Sequence, residues 1–244
     1  GGGAAVKVGV LPALVKLLDA DGAPGQLEAM HLLHRLAGGV DTRKAVSMQP
    51  GVVAACVSTL QRAYSAAAAE HAAGTLHALA DAGKRAEIVQ AGGVEALTLV
   101  LRGGSVAAKT QAVRALSNLA EEGASHTALA SGALGALVEL AGGVDEEAAK
   151  VAIRTLNRLA VGGNAAAFAA LASSEATVGW LVVQLGGTRP EQVAALSSLR
   201  ELSTSPEAQQ IIVGAGGVAA LVAAARATAD DPQAQAAVAL VLAR

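Results

Sequence analysis

The chain has 244 residues, a formal net charge of −2, 53% hydrophobic residues and only 1% aromatic residues. So small a charge gives no global field to recruit nucleic acid, and one Trp, one Tyr and one Phe cannot form a base-stacking platform. A single cysteine leaves no intrachain disulfide, and no uncharged apolar run approaches the ~20 residues that cross a bilayer.

Taken from the N-terminus, the chain repeats itself. A first phrase recurs as Gln90-Ala91-Gly92-Gly93-Val94-Glu95-Ala96-Leu97, Ala130-Ser131-Gly132-Ala133-Leu134-Gly135-Ala136-Leu137 and Gly214-Ala215-Gly216-Gly217-Val218-Ala219-Ala220-Leu221. Its anchors are Leu11, Val53, Val94, Leu134, Val178 and Val218, spaced 42, 41, 40, 44 and 40. A second phrase follows about 25 residues later, as in Leu116-Ser117-Asn118-Leu119-Ala120. Its anchors are Leu36, Leu79, Leu119, Leu159, Leu202 and Leu242, spaced 43, 40, 40, 43 and 40. Two anchors that drift together mark an internal repeat, and a period near 40 points to a helical solenoid. The expected repeats cover residues 1–40, 41–82, 83–123, 124–163, 164–204 and 205–244, together one solenoid domain. Each reads as three helices. In the third these are expected near Lys84 to Val89, from Gly93 to Leu101 and from Ser105 to Ala120.

With almost no aromatics, the core must be built from Leu, Val and Ala, and Ala carries the best helix propensity. Cys56 aligns with the core positions Leu97 and Leu137, so it reads as a small buried apolar side chain rather than a reactive thiol. Trp180 falls in a second helix and reads as packing. The glycine pairs 92–93, 103–104, 142–143, 162–163, 186–187 and 216–217 fall where one helix hands over to the next. Positive φ at these joints is expected to allow the sharp angle. None lies in a Gly-Lys-Ser/Thr phosphate loop. Thr188-Arg189-Pro190-Glu191 has capping-box spacing, and Ser205-Pro206 and Asp231-Pro232 place a cap residue before a first-turn proline.

The Gly-Gly-Val-x-x-Leu entry and the Ala-Leu-Ser-Asn-Leu-Ala ending (Ala115 to Ala120) resemble the armadillo repeat family over nearly the whole chain. The resemblance implies an all-α fold, a right-handed α-solenoid or superhelix of about six three-helix repeats, with the third helices lining a concave face. In the family that face carries an asparagine ladder that grips an extended peptide, with tryptophans one turn earlier. Here Asn118 matches the ladder; its counterparts are Arg35, Ala78, Arg158, Glu201 and Val241. The tryptophan position holds His31, Gly74, Arg114, Arg154 and Ser197. The nuclear-localisation-signal mode of binding is therefore not expected. Arg114 and Arg154 share one position in adjacent repeats, and guanidinium forks suit carboxylates or phosphates. A basic stripe for an acidic or phosphorylated segment is one reading; pairing with neighbouring acids on the same surface is the other, and Glu201 interrupts the stripe.

The candidate partner-binding residues are thus Arg35, His77, Arg114, Asn118, Arg154, Arg158 and Glu201. His31, His34, His71 and His77 cluster near Glu28 and Glu70, and the equivalent positions of His34 and His77 predict that they stack. No established metal-ligand spacing occurs among them, and His126 stands apart as a solvated residue. No cofactor, metal or catalytic residue is expected, because a shallow groove rarely supplies the water-excluding pocket that catalysis needs. The expected function is a non-catalytic protein–protein interaction scaffold that binds an extended or helical partner segment. Six repeats of ~10 Å give a groove of ~60 Å, room for ~18 extended residues. The partner is a protein or peptide, not nucleic acid, and no membrane insertion is expected. The alternatives are a structural protein that self-associates through its termini, or a substrate-recruiting module of a larger protein such as a ubiquitin ligase. The end segments lack the polar caps that solenoids need, so a piece of a longer array is expected. Gly1-Gly2-Gly3-Ala4-Ala5 has no charged segment leading into an apolar one. With one cysteine, that predicts a reducing, intracellular compartment, cytoplasmic or nuclear.

Overall fold

The computed structural model describes residues 9–20, 25–62, 65–120, 129, 132–143, 145–161 and 164–244. Among the described residues every regular element is a helix. The fold is an all-α solenoid of three-helix repeats. Repeat 1 contributes α1 (Val10–Asp19) and α2 (Gln26–Gly38), and repeat 2 contributes α3 (Val40–Met48), α4 (Val52–Arg62) and α5 (Ala66–Asp81). Repeat 3 holds α6 (Arg85–Gln90), α7 (Gly93–Gly103) and α8 (Val106–Leu119), within a residue or two of the expected bounds. Repeat 4 shows α9 (Leu134–Ala141) and α10 (Glu146–Val161). Repeat 5 holds α11 (Ala165–Ala172), α12 (Glu175–Gln184) and α13 (Arg189–Leu202), and repeat 6 holds α14 (Pro206–Gly214), α15 (Gly217–Ala227) and α16 (Pro232–Leu242). The described residues group into two compact units, Gly1–Thr155 and Leu156–Arg244, with the boundary inside α10.

Alanine dominates α5, and a polar residue opens α5, α8, α10, α13 and α16, whereas α2 opens on Gly25. In α5, Ala66 to Ala69 follow Ser65, whose side chain accepts the Ala68 N–H at 3.3 Å. Ser105 does the same for Ala108 at 3.2 Å, and Asp231 accepts from both Gln233 and Ala234. At Thr188 the expected capping box is present, with the Thr188 N–H donating to the Glu191 carboxylate at 2.8 Å. Each cap satisfies a donor that the first helical turn leaves without an intrahelical partner.

The core follows the anchors. Leu33, Leu76, Leu79, Leu97, Leu116 and Leu137 are fully buried, with small Ala72, Ala73, Ala108 and Ala112 filling between helices. Cys56 belongs to this core, and burial pushes its thiol up to about 12. Polar groups inside are handled locally. Thr59, Thr75, Thr98 and Thr155 donate to the carbonyl four residues back, a bond available inside a helix. Amide side chains at third-helix starts reach the carbonyl ends of second helices: Gln192 donates to Leu185 O at 2.8 Å and Gln235 to Ala225 O at 2.5 Å.

The glycine joints divide into two kinds. At Gly92-Gly93 the first residue takes φ 78°, which admits glycine readily, and opens α7. The second has no room for a side chain: a Cβ on Gly93 would sit 2.5 Å from Ile88 Cγ2 and 2.7 Å from Ile88 O. Gly216-Gly217 repeats this, with φ 76° at Gly216 and a Gly217 Cβ placed 2.5 Å from both Ile212 Cγ2 and Ile212 O. There α14 and α15 meet at 81°. Positive φ was expected at every pair, but Gly103-Gly104, Gly142-Gly143 and Gly186-Gly187 do not adopt it. At Gly104 and Gly187 the constraint is close approach alone: a Cβ would come 2.6 Å from Val100 O and 2.7 Å from Glu191 Oε2 respectively. Gly162-Gly163 lies outside the described residues. No single described helix is long and apolar enough to cross a membrane.

Candidate functional site: the third-helix face

In the unit Gly1–Thr155, the third helices α2, α5 and α8 pack side by side. Spacings of three and four residues bring their polar side chains to a common face. On α2 these are His31 and Arg35, both exposed, and half-buried His34. On α5 they are Glu70, His71 and His77, all half-buried, and exposed Asp81; on α8 they are half-buried Arg114 and Asn118.

The histidines pair differently from the sequence expectation. His34 turns to His71, Nδ1 to Nδ1 at 3.3 Å, and the rings of His31 and His71 stack with centroids 4.8 Å apart. His77 takes no part in this stack and sits within electrostatic reach of Asp81, Arg114 and Arg43. Gly74 is the physical reason. A Cβ there would fall on the His34 ring, 2.7 Å from Cε1, so the glycine is the seat on which His34 rests against α5. The equivalent pair His34 and His77 therefore does not stack, although the two remain within electrostatic reach. Among the described residues no group of three or more His, Cys, Asp or Glu side chains is arranged to hold a metal ion. His126 lies outside the described residues.

Burial holds His34 below its ordinary value of 6.5, with His71 adding to the effect and Glu70 opposing it. Burial and then His31 lower His71, again against Glu70. Burial lowers His77, opposed by Asp81 and reinforced by Arg114 and Arg43. All three are lowered in the fold, so acidification through 6.5 protonates the unfolded chain first. Stability therefore falls from about pH 6.5 downward until the folded imidazoles themselves titrate. Thermal melts should show a lower Tm at pH ~5 than at pH ~7, and His34→Gln/His71→Gln should reduce that drop. The carboxylates held low, such as Glu146 and Asp231, act below this window.

Asn118, the single ladder match, is engaged within the chain. Its Nδ2 donates to Asp81 Oδ1 at 2.6 Å, while Arg85 Nε donates to its backbone carbonyl at 2.9 Å. Arg114 reaches Glu147 at the start of α10, Nη2 to Oε1 at 3.3 Å. Both partners are substantially exposed, so the pair contributes at most ~1 kcal/mol and yields readily to a competing anion. Arg154 is exposed farther along α10. The structure thus brings His77 and Asn118 to Asp81, sets Arg114 within electrostatic reach of His77, and leaves Arg35 exposed on α2.

The other two candidates lie in the unit Leu156–Arg244. Arg158 is half-buried on α10. Glu201 accepts from Arg200 Nη2 at 2.7 Å and lines a cleft of about 350 Å³ with Asn157, Phe168, Ser197 and Arg200. Trp180 is half-buried on the second helix α12. The acids Asp81 and Glu147 were not foreseen as part of the face. Asp81 lies about one turn after Ala78, the repeat counterpart of Asn118, and Glu147 about two turns before Arg154, the counterpart of Arg114, so alignment of repeats alone does not find them.

Residues 81–121 match the family model described as the Armadillo/beta-catenin-like repeat. No curated protein matches the sequence. Among solved structures, the chain is similar to an engineered protein of the Northeast Structural Genomics Consortium, 31% identical over 95% of this chain and 94% of that one, with a TM-score of 0.68. A designed armadillo repeat protein is 22% identical over 95% and 98%, with a TM-score of 0.71. A second designed armadillo repeat protein, solved in complex with peptide (KR)4, is 19% identical over 95% and 98%, with a TM-score of 0.66.

Proposed function

The chain belongs to the armadillo repeat family, and from that premise we propose that it is a non-catalytic scaffold holding an extended acidic or phosphorylated partner segment along the face of α2, α5, α8 and α10 as far as Arg154. The observation that carries the reading is the pair Arg114 and Arg154. They share one repeat position on successive third helices, and among the described residues Arg114 makes an exposed contact with Glu147. A partner carboxylate or phosphate displaces Glu147 and gains a charge-assisted bond to the guanidinium. Asn118 and neutral His77 add donors beside it. Helices 8–10 Å apart put about 30 Å between α2 and α10, a span of about nine extended residues. The designed neighbours include one bound to a peptide and others made for modular peptide recognition, which supports a peptide as the occupant. The buried Cys56 thiol, pushed up to about 12, is unsuited to nucleophilic chemistry, in keeping with a non-catalytic role.

Labelled acidic, phosphorylated and basic peptides, titrated at two salt concentrations, test this reading. Acidic or phosphorylated peptides should bind in a salt-sensitive manner. Arg114→Glu/Arg154→Glu should weaken them at least ~10-fold, since losing one charge-assisted bond costs about 1.5–3 kcal/mol. Binding that the double variant retains, or preference for the basic peptide, would contradict the acidic-partner reading.

A further inference from the structure

The repeats supply an internal standard for what should be covered. At the second anchor, Leu36, Leu79, Leu119, Leu159 and Leu202 are at most 5% exposed, whereas Leu242 on α16 is 43% exposed. At the first anchor, Leu11, Val53, Val94 and Val178 are at most 4% exposed, whereas Val218 on α15 is 47% exposed. One turn on, Val15, Val57 and Val182 are buried and Val222 is exposed. Val218 and Leu242 border an apolar cleft of about 620 Å³ lined also by Val213, Leu221, Val241 and Arg244. In repeats 1, 2, 3 and 5 the same three positions are buried. The face of α15 and α16 is therefore shaped for one occupant, a helix pair of the same repeat type.

The complementary half of that contact also stands uncovered, on α1 and α2. The position four residues before the second anchor is at most 3% exposed at Thr75, Ala115, Thr155, Ser198 and Val238, yet its counterpart Leu32 is 36% exposed. Two residues after the first anchor, Ala55, Ala96 and Ala136 are buried and Ala13 is exposed. Single exposed apolar residues are ordinary on a surface. Here they fall at repeat positions that are elsewhere buried or, at Trp180 and Ala220, half-buried, and the two sets lie on different helices.

We propose that the protein associates head to tail with a second copy of itself, the outer face of α15 and α16 receiving α1 and α2 of its neighbour. Such a contact is heterologous. It leaves one free face at each end of a dimer, so the assembly grows past the dimer into a ring or an open filament. The contact shares α2 with the peptide face but rests on the apolar side chains Leu32, Val218, Val222 and Leu242 and not on the Arg, His and Asn side chains of the peptide reading, so the two are tested by different variants.

Sedimentation velocity over a wide range of concentration tests it. The wild type should rise past the dimer mass as concentration increases. Leu32→Glu and Val218→Glu/Leu242→Glu should each stay monomeric at every concentration, with unchanged helical circular dichroism. An equimolar mixture of the two variants keeps one intact interface and should stop at the dimer. A wild type that remains monomeric throughout overturns the proposal, as does one that stops at a closed dimer. The wild-type series decides the question even if a variant fails to fold.

Discussion

Leu79→Ala is expected to lower the unfolding free energy by about 2–5 kcal/mol, while Leu242→Ala, the same substitution at the same repeat position, should cost less than about 1 kcal/mol at monomeric concentration. Leu79 is fully buried at the end of α5, in a core made of leucine, valine and alanine. The surrounding alanines have no side-chain length with which to fill the hole, and a chain with 1% aromatics has few large rings that could shift into it. The cavity term should therefore persist largely unrelaxed, which places the cost toward the upper part of the range. Leu242 already faces solvent over much of its surface, so its truncation removes little transfer free energy. Urea denaturation followed by circular dichroism checks the pair. In a solenoid the loss should be concentrated in repeats 1 to 3, because each repeat depends on its neighbours, and hydrogen exchange should show α2, α5 and α8 losing protection first.

The second large effect comes from adding a methyl group rather than from removing a side chain's bulk. Gly93→Ala should destabilise the fold by roughly 1–3 kcal/mol, the usual range for forcing extra atoms into a packed site. Its methyl would meet the Ile88 carbonyl and Cγ2. The carbonyl is backbone, so relief requires opening the α6–α7 joint. Gly217→Ala meets Ile212 in the same way. The two lie in different compact units, so their effects should add within ~0.5 kcal/mol. Gly179→Ala provides the opposite sign. It lies inside α12 with ordinary φ, and a Cβ there meets nothing within 4 Å, so the substitution should stabilise by up to ~1 kcal/mol through helix propensity. Thermal melts of the three variants compare one chemical change in three settings.

The repeat fold was legible because its determinants are local and recur. The leucine and valine anchors, the Gly-Gly entry and the cap residues Ser205, Thr188 and Asp231 each act within a few residues of their position. Periodicity then carries them through the chain. The face was less legible, because its contacts cross between repeats with an offset that alignment does not encode. His34 meets His71 rather than the equivalent His77, since Gly74 removes the side chain that would hold the helices apart. A glycine in the middle of an alanine-rich helix is the one sequence signal of that seat, because it gives up about 1 kcal/mol of helix propensity relative to alanine. Asp81 and Glu147 likewise reach Asn118 and Arg114 from the adjacent repeat. Glycine pairs share a composition but not a geometry: at Gly92 and Gly216 the backbone takes positive φ, while at Gly104 the Val100 carbonyl and at Gly187 the Glu191 carboxylate merely come close.

The most direct measurement is photo-crosslinking of the bound acidic peptide, with a benzophenone at successive peptide positions and the attachment sites read by mass spectrometry. The third-helix reading predicts adducts on α2, α5 and α8, around His31, Arg35, His77 and Arg114, advancing from helix to helix as the benzophenone moves along the peptide. Adducts on α3 around exposed Val40 and Met48, or adducts that do not advance in register with the repeats, would contradict it.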